Sequence, residues 1–173
     1  KMKKNLLLFI IVSMISFSCE TPDSSPQVIG FTQDENGKTD VLAGPNEINE
    51  IWETYIDAHN SRDLDAIRQL NAEGFTAYGP LGQVIQGSDE HVAFLSDWFE
   101  TNGPEWSITW AISNTGENVN GEISDFVTAG HRMTLNVDGN DVTVFQVIDA
   151  MISNGKIVTF NVFEQQRGEA SSE

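Results

Sequence analysis

Two side chains of this sequence, a phenol and a carboxyl group, suit hydrogen-bond donation inside an apolar pocket. Tyr55 lies on the apolar face of a predicted helix, and Asp149 interrupts the largely apolar run 143–148. If Asp149 points inward without a cationic partner, desolvation favours the neutral acid. A neutral acid beside a Tyr hydroxyl offers two donors to a carbonyl or phenolate oxygen. The alternatives are packing with one satisfied hydroxyl for Tyr55, and a local hydrogen bond or a solvent-facing position for Asp149.

Histidine supplies the third candidate. His131 alternates with apolar residues along 127–135 and so shares their face. A neutral imidazole there could act as a general base, and the alternative is a core or rim histidine with a satisfied nitrogen. His59 and His91 are predicted to be rim or surface residues. No spacing among histidines and carboxylates indicates a metal site, and no phosphate loop or dinucleotide motif appears, so no cofactor is predicted.

Aromatic side chains could line the same pocket or simply fill the core. Trp52, Trp98 and Phe145 are predicted to bind ligand, the two tryptophans because they lie on helix faces turned toward a sheet. Trp106 or Trp110 could instead lie in the interface of a homodimer.

The elements that must position these residues begin with an amphipathic helix. Its apolar residues recur at spacings of three and four, with Asn46 as the predicted N-cap. The pattern breaks at 60–63, and Asp63 is placed to cap a second, shorter helix that Gly74 ends. A strand over 75–78 and a turn over 79–82 follow.

The second half of the domain changes from helical to strand periodicity. Ser88 is the predicted N-cap of a third helix, and Asn102-Gly103-Pro104 is a stop signal. From Glu105 apolar residues alternate with polar ones, with tight turns at 138–140 and 153–155. Helices followed by an antiparallel meander indicate the α+β class.

This arrangement resembles the NTF2-like, or SnoaL-like, superfamily, which includes ketosteroid isomerases. The similarity covers about residues 46–166 and implies a cone of three N-terminal helices packed in a curved antiparallel sheet around an apolar pocket. The matching residues are Tyr55, the motif Asn60-x-x-Asp63-x-Asp65-x-Ile67, Gly79-Pro80-x-Gly82, Val147-Ile148-Asp149 and Asn154-Gly155-Lys156-Ile157.

The resemblance also implies roles for particular residues. In ketosteroid isomerases a Tyr and a protonated Asp donate hydrogen bonds to an enolate oxygen, and a second Asp moves the proton. Tyr55 and Asp149 match the donors, but the base position falls on Gly79, which cannot take a proton. The implied function is therefore binding of a small, largely apolar molecule without the usual isomerase base. The alternatives are an isomerase, lyase or hydrolase that uses His131 as general base, and a non-catalytic dimerisation or interaction module.

The charge balance argues against nucleic acid as a partner. The chain holds 26 Asp and Glu against 9 Lys and Arg, a formal net charge of −17. Such a surface repels phosphate backbones.

The N-terminal segment is typical of a secreted bacterial lipoprotein. Residues 1–18 combine basic, apolar and small residues in the order of a signal peptide, and Cys19 is placed for lipidation. Lipid on Cys19 would anchor the protein in the cell envelope, at the outer membrane or facing the periplasm, and an ordinary secretory signal is the alternative. Residues 19–44 are predicted to be a flexible tether, although 28–31 could form a short strand. The domain is predicted over 45–166 and a polar tail over 167–173.

Overall fold

The computed structural model describes residues 25–118 and 120–167, which form three helices and one eight-stranded sheet. The helices are α1 (Asn46–Asn60), α2 (Leu64–Leu70) and α3 (Ser88–Asn102). The strands are β1 (Val28–Asp34), β2 (Gly37–Ala43), β3 (Asn71–Tyr78), β4 (Val84–Gln86), β5 (Glu105–Glu117), β6 (Ile123–Val137), β7 (Asn140–Ser153) and β8 (Lys156–Gln165). This architecture, with three helices and a curved sheet, confirms the predicted α+β class. The predicted signal peptide, Cys19 and the tail beyond Arg167 lie outside the described residues.

The sheet has the strand order β1-β2-β5-β6-β7-β8-β3-β4. Neighbouring strands are antiparallel except for β3 and β8, which run parallel. The inner face packs on the helices, and in β7 it carries Val144, Gln146, Ile148, Ala150 and Ile152, all buried. The intervening residues of β7 form part of the opposite, outer face, because successive strand side chains point to opposite sides.

Helix α1 presents its apolar stripe to the sheet, as the spacing predicts. Ile48, Trp52, Tyr55 and Ile56 are all buried. Asn46 is the first helical residue rather than the N-cap. Its side-chain amide donates to Glu50 Oε1 at 3.1 Å, and the cap position is taken by the preceding proline without a side-chain bond.

The predicted capping residues of α2 and α3 agree with the structure only in part. Asp63 caps α2, since its Oδ1 accepts a hydrogen bond from the Ala66 amide at 2.9 Å. Gly74 does not end that helix. It lies inside β3 with φ +76, at an irregularity of the β3–β8 register. Ser88 is the first residue of α3, with Gly87 at the cap position, and Gly103 ends α3 in the left-handed conformation.

A β-hairpin replaces most of the predicted flexible tether. Strands β1 and β2 pair across 28–43, which corrects the prediction of a tether over 19–44 and agrees with the alternative of a strand near 28–31. The turn is stabilised by Asp34, whose Oδ1 accepts from the amides of Asn36 at 2.7 Å and Gly37 at 3.2 Å. The signal in the sequence was two strand-like runs around this Asx-type turn.

Among the described helices, none combines the length and the apolar character that crossing a bilayer requires.

Candidate functional site

The two predicted donors lie on opposite faces of the sheet. Tyr55 is buried on the inner side, whereas Asp149 lies on the outer face of β7, in register with Thr128 and Asn161. Thr128 Oγ1 donates to Asp149 Oδ1 at 2.6 Å. The predicted pair of donors is therefore not formed. The prediction placed Asp149 on the wrong face of the strand, because the buried positions of β7 are the even-numbered ones from Val144 onward.

Tyr55 instead belongs to a buried hydrogen-bond network that the sequence did not reveal. Its hydroxyl donates to Asn71 Oδ1 at 2.7 Å. The Asn71 amide donates to Ser88 Oγ at 3.1 Å and to His91 Nδ1 at 3.2 Å. Burial raises the pKa of Tyr55 well above its ordinary value, so the phenol stays protonated.

His91 and His59, predicted to lie at the rim, are both in the core. His91 is 2% exposed and stacks on Phe75 with ring centroids 4.9 Å apart. His59 Nδ1 donates to the Tyr55 carbonyl at 2.7 Å. Burial lowers the pKa of His91 to about 3 and that of His59 to about 4, so both are neutral near pH 7. The spacing of His59 from Tyr55 by four residues was the available signal.

His131 is inside, as predicted, but neither of its nitrogens is free to take a proton. Trp52 Nε1 donates to His131 Nε2 at 3.0 Å, which places the proton of the neutral ring on Nδ1. Burial lowers the His131 pKa to about 4, partly offset by interaction with the Ala129 backbone. Nδ1 is buried, and no group among the described residues meets hydrogen-bond geometry with it. This arrangement argues against the general-base role.

The predicted pocket aromatics divide between the two faces. Trp52 is in the core, and Trp98 packs on Trp106 with ring centroids 5.4 Å apart. Trp106 is itself buried, and its Nε1 donates to Gln146 Oε1 at 3.1 Å, so it cannot serve a dimer interface. Phe145 lies on the outer face beneath the Arg167 guanidinium, 3.8 Å from the ring centroid, rather than inside.

The interior expected to hold a ligand is filled by aromatic rings. Trp52, Tyr55, Phe75 and His91 each contact Phe160 at centroid separations of 5.6–6.4 Å. Three pockets among the described residues are open grooves that none of these rings lines. One of about 520 Å³ lies between α1 and β5, one of about 420 Å³ lies at the end of α3, and one of about 210 Å³ lies on the outer face.

The outer face carries a row of four register partners on adjacent strands, three of which are exposed apolar side chains and one a buried glycine. Trp110, Gly130, Val147 and Phe163 are register partners on β5, β6, β7 and β8. The Trp110 indole lies against Gly130, where an added Cβ would come within 2.2 Å of Nε1. Glycine therefore allows the indole to approach the backbone this closely. We call these four residues the outer apolar row.

The described residues contain no group of three His, Cys, Asp or Glu side chains placed to hold a metal ion.

Comparisons with known proteins agree on the architecture. A family model described as a SnoaL-like domain matches residues 52–160. No curated protein sequence matches the chain significantly.

Solved structures with the same fold come from proteins of different kinds. A candidate ketosteroid isomerase from Kribbella flavida is 15% identical with a TM-score of 0.59, covering 76% of this chain and 87% of that one. An LEH-like epoxide hydrolase of M. tuberculosis is 15% identical with a TM-score of 0.56, covering 69% and 84%. A candidate SnoaL-like polyketide cyclase from Jannaschia is 20% identical with a TM-score of 0.56, covering 69% and 86%. At these identities the similarity establishes the NTF2-like fold and leaves the activity open.

Proposed function

The chain belongs to the family of SnoaL-like domains, and on that premise we propose that it is a non-catalytic interaction module that pairs with a second copy of itself. The pairing surface is the outer face of the sheet. One observation carries the proposal: the three side chains of the outer apolar row are large and apolar, yet they are exposed in the single chain. Trp110 is 44% exposed, Val147 39% and Phe163 63%. Contiguous apolar surface of this kind marks interaction sites on soluble proteins.

The distribution of charge favours this face over the helix side for self-association. The chain has a formal net charge of −17, so two copies repel each other unless their acidic surfaces stay apart. The exposed sides of the helices are rich in carboxylates, among them Glu47, Glu53, Asp57, Asp97 and Glu100. The outer apolar row has no charged member. Two sheets packed outer face to outer face place the helices of both copies on the far sides.

The flanks of the row also provide opposite charges. Arg132 lies two residues to one side of Gly130 on β6, and Asp149 lies two residues to the other side of Val147 on β7. A two-fold axis along the row would exchange these sides between copies. Arg132 of each copy would then lie on the strand next to the one that carries Asp149 of the other copy. Such self-complementarity is what a symmetric dimer interface requires.

The test is the oligomeric state of the folded domain. We expect light scattering at micromolar concentration to give the mass of a dimer, and Val147→Glu to give the mass of a monomer. Leu81→Glu is the matched control, since Leu81 is an exposed apolar residue in the turn between β3 and β4, away from the row. A monomeric wild-type protein, or equal dissociation by both variants, would reject the proposal.

A second candidate function is binding of a small, largely apolar molecule inside the curved sheet. The observation that favours it is the buried Nδ1–H of His131, which meets full hydrogen-bond geometry with no acceptor among the described residues, although the Ala129 backbone lies near enough to raise the pKa of the ring. A ligand with a carbonyl or phenol oxygen would satisfy it beside Trp52. Because aromatic rings fill this space, the ligand would have to displace some of them.

Calorimetry with a panel of phenols and steroids tests this candidate. Saturable binding that His131→Phe abolishes and Asp149→Ala leaves unchanged would support it, since Asp149 lies on the outer face. A shift of the His131 Nδ1–H resonance on ligand addition gives a readout in the wild-type protein. Absence of saturable binding across the panel would remove the candidate.

We also propose that the domain is held at a membrane of the cell envelope by lipid on Cys19. The support is the signal-like order of residues 1–18 before that cysteine. Cells grown with labelled palmitate should yield labelled wild-type protein in the membrane fraction and unlabelled Cys19→Ser protein. Unlabelled wild-type protein in the soluble fraction would contradict this.

A further inference from the structure

Strand β5 has a free edge along its first half. On one side it pairs with β6 over its whole length. On the other side β2 pairs only with Asn114 and Thr115, and the Gly44 amide donates to the Ser113 carbonyl at 3.1 Å. Over 107–112 no strand among the described residues occupies this edge.

The Asn60 side chain already pairs with the backbone at the start of the free edge, with the two hydrogen bonds that a neighbouring strand would make. The Asn60 side-chain amide donates to the Trp106 carbonyl at 2.9 Å, and Asn60 Oδ1 accepts from the Trp106 amide at 2.9 Å. The Trp106 and Ser113 backbones therefore both point away from β6. In an antiparallel strand the N–H and C=O groups of every second residue point to the same side. Counting two residues forward from Trp106 and two back from Ser113, the backbone groups of Ile108 and Ala111 also point away from β6 and lack a strand partner there.

A groove of about 520 Å³ runs beside this edge and has a polar opposite wall. Helix α1 supplies that wall, on which Glu53 and Asp57 are exposed carboxylates. On the outer side of the same strand, Trp110 and Ile112 are exposed apolar side chains. The two sides of the free edge therefore differ in chemistry, with acid toward the helix and apolar surface toward the outer face.

We propose that this groove binds an extended peptide segment, which adds to the sheet along 107–112. Addition of a strand to an exposed edge satisfies the free backbone groups, and alternating side chains then determine specificity. The inward-pointing residues of the segment would be Lys or Arg, facing Glu53 and Asp57. The outward-pointing residues would be apolar, packing beside Trp110 and Ile112. The irregularity of the β5–β6 register between Ile108 and Trp110 limits the added strand to a few residues.

This site shares Trp110 with the outer-face pairing proposed above, but the peptide is held by the backbone edge of β5, which that pairing leaves open. Val147→Glu lies on β7 and disrupts only the pairing, so peptide binding to this variant separates the failure of one proposal from the failure of the other.

The probe is a capped six-residue peptide of alternating lysine and valine, added to the full protein labelled with ¹⁵N. We expect saturable shifts of the amides of 107–112 and slower hydrogen exchange there. A second peptide carries glutamate in place of lysine and should not bind. A third carries N-methyl groups on the backbone nitrogens and should not bind if main-chain hydrogen bonds hold the segment.

Charge reversal on α1 provides the variant. Glu53→Lys with Asp57→Lys should weaken binding of the lysine peptide by about tenfold, the effect of about 1.4 kcal/mol spread over two exposed charge pairs. The matched control is Asp97→Lys with Glu100→Lys, which makes the same change in net charge on the exposed side of α3.

Four results would overturn the proposal: no saturable binding, equal binding of the glutamate or N-methyl peptide, equal weakening by the control variant, or shifts confined to other strands. Concentration-dependent shifts of 107–112 without peptide that persist in Val147→Glu would assign this edge to contacts between copies, and would equally count against the proposal.

Discussion

At the scale of single residues, four polar side chains of this domain form one hydrogen-bonded network. Tyr55, Asn71, Ser88 and His91 are linked by hydrogen bonds around the helices and the start of β3. A buried donor or acceptor that loses its partner keeps its desolvation cost, so each member stabilises the fold through the others.

Removal of the Tyr55 hydroxyl tests this directly. Tyr55→Phe leaves Asn71 Oδ1 buried without its 2.7 Å donor, and the free energy of unfolding should fall by about 1–3 kcal/mol. Urea denaturation measures the change. Tyr78→Phe is the control, because Tyr78 is an exposed residue of β3 and its loss should stay within about 0.5 kcal/mol. Equal effects of the two changes would show that the network does not stabilise the domain.

The sequence predicted the inward side chains better than their partners. Tyr55, Trp52 and His131 followed from helix and strand periodicity, and all three are buried. Asp149 was misplaced because an acid in an apolar run shows that a strand is buried on one side but not which phase it takes. The hydrogen bond between Asn71 and His91 joins residues that are 20 apart in the chain, and no local sequence pattern predicts such a contact.

At the scale of elements, the hairpin β1–β2 is attached to the rest of the sheet by a short contact. Its register with β5 covers Leu42 and Ala43 only, and Gly44 extends it by one hydrogen bond. A Cβ on Gly44 would lie 2.7 Å from the Asn114 backbone nitrogen. Both backbones are fixed by the sheet, so neither can easily move away. The sequence predicted strands here only as an alternative, because the hairpin is rich in polar residues and has no buried apolar face, which is also the composition of a linker.

The attachment can be tested by a pair of glycine substitutions. Gly44→Ala should lower the free energy of local opening of the hairpin by about 1–3 kcal/mol, the usual cost of overpacking. Hydrogen exchange of the amides in 38–43 measures it. Gly30→Ala, whose Cβ would meet only Val41 Cβ at 4.0 Å, should leave the exchange nearly unchanged. Equal protection in both variants would mean that β2 can move away from Asn114 without loss.

At the scale of the whole molecule, three buried histidines make the folded state sensitive to acid. His59, His91 and His131 lie in one core, and burial lowers their pKa values to about 4, 3 and 4. In the unfolded chain each takes a proton near pH 6.5. Between these values the unfolded state binds more protons, so the stability these groups confer is complete above pH 6.5 and is lost as pH falls toward 4.

The expected slope follows from the number of protons. One proton changes the free energy of unfolding by about 1.4 kcal/mol per pH unit, so three contribute up to about 4 kcal/mol per unit between pH 6 and pH 4.5. Carboxylates titrate in the same range, and a variant separates the two contributions. His91→Gln keeps an acceptor for the Asn71 amide and removes one titrating group, so the slope should fall by about one proton while the carboxylate contribution is unchanged. Urea denaturation at a fixed protein concentration, repeated across this pH range, gives both slopes. If the two slopes coincide, His91 takes up its proton in the folded protein as readily as in the unfolded chain, and the burial around it does not hold the ring neutral.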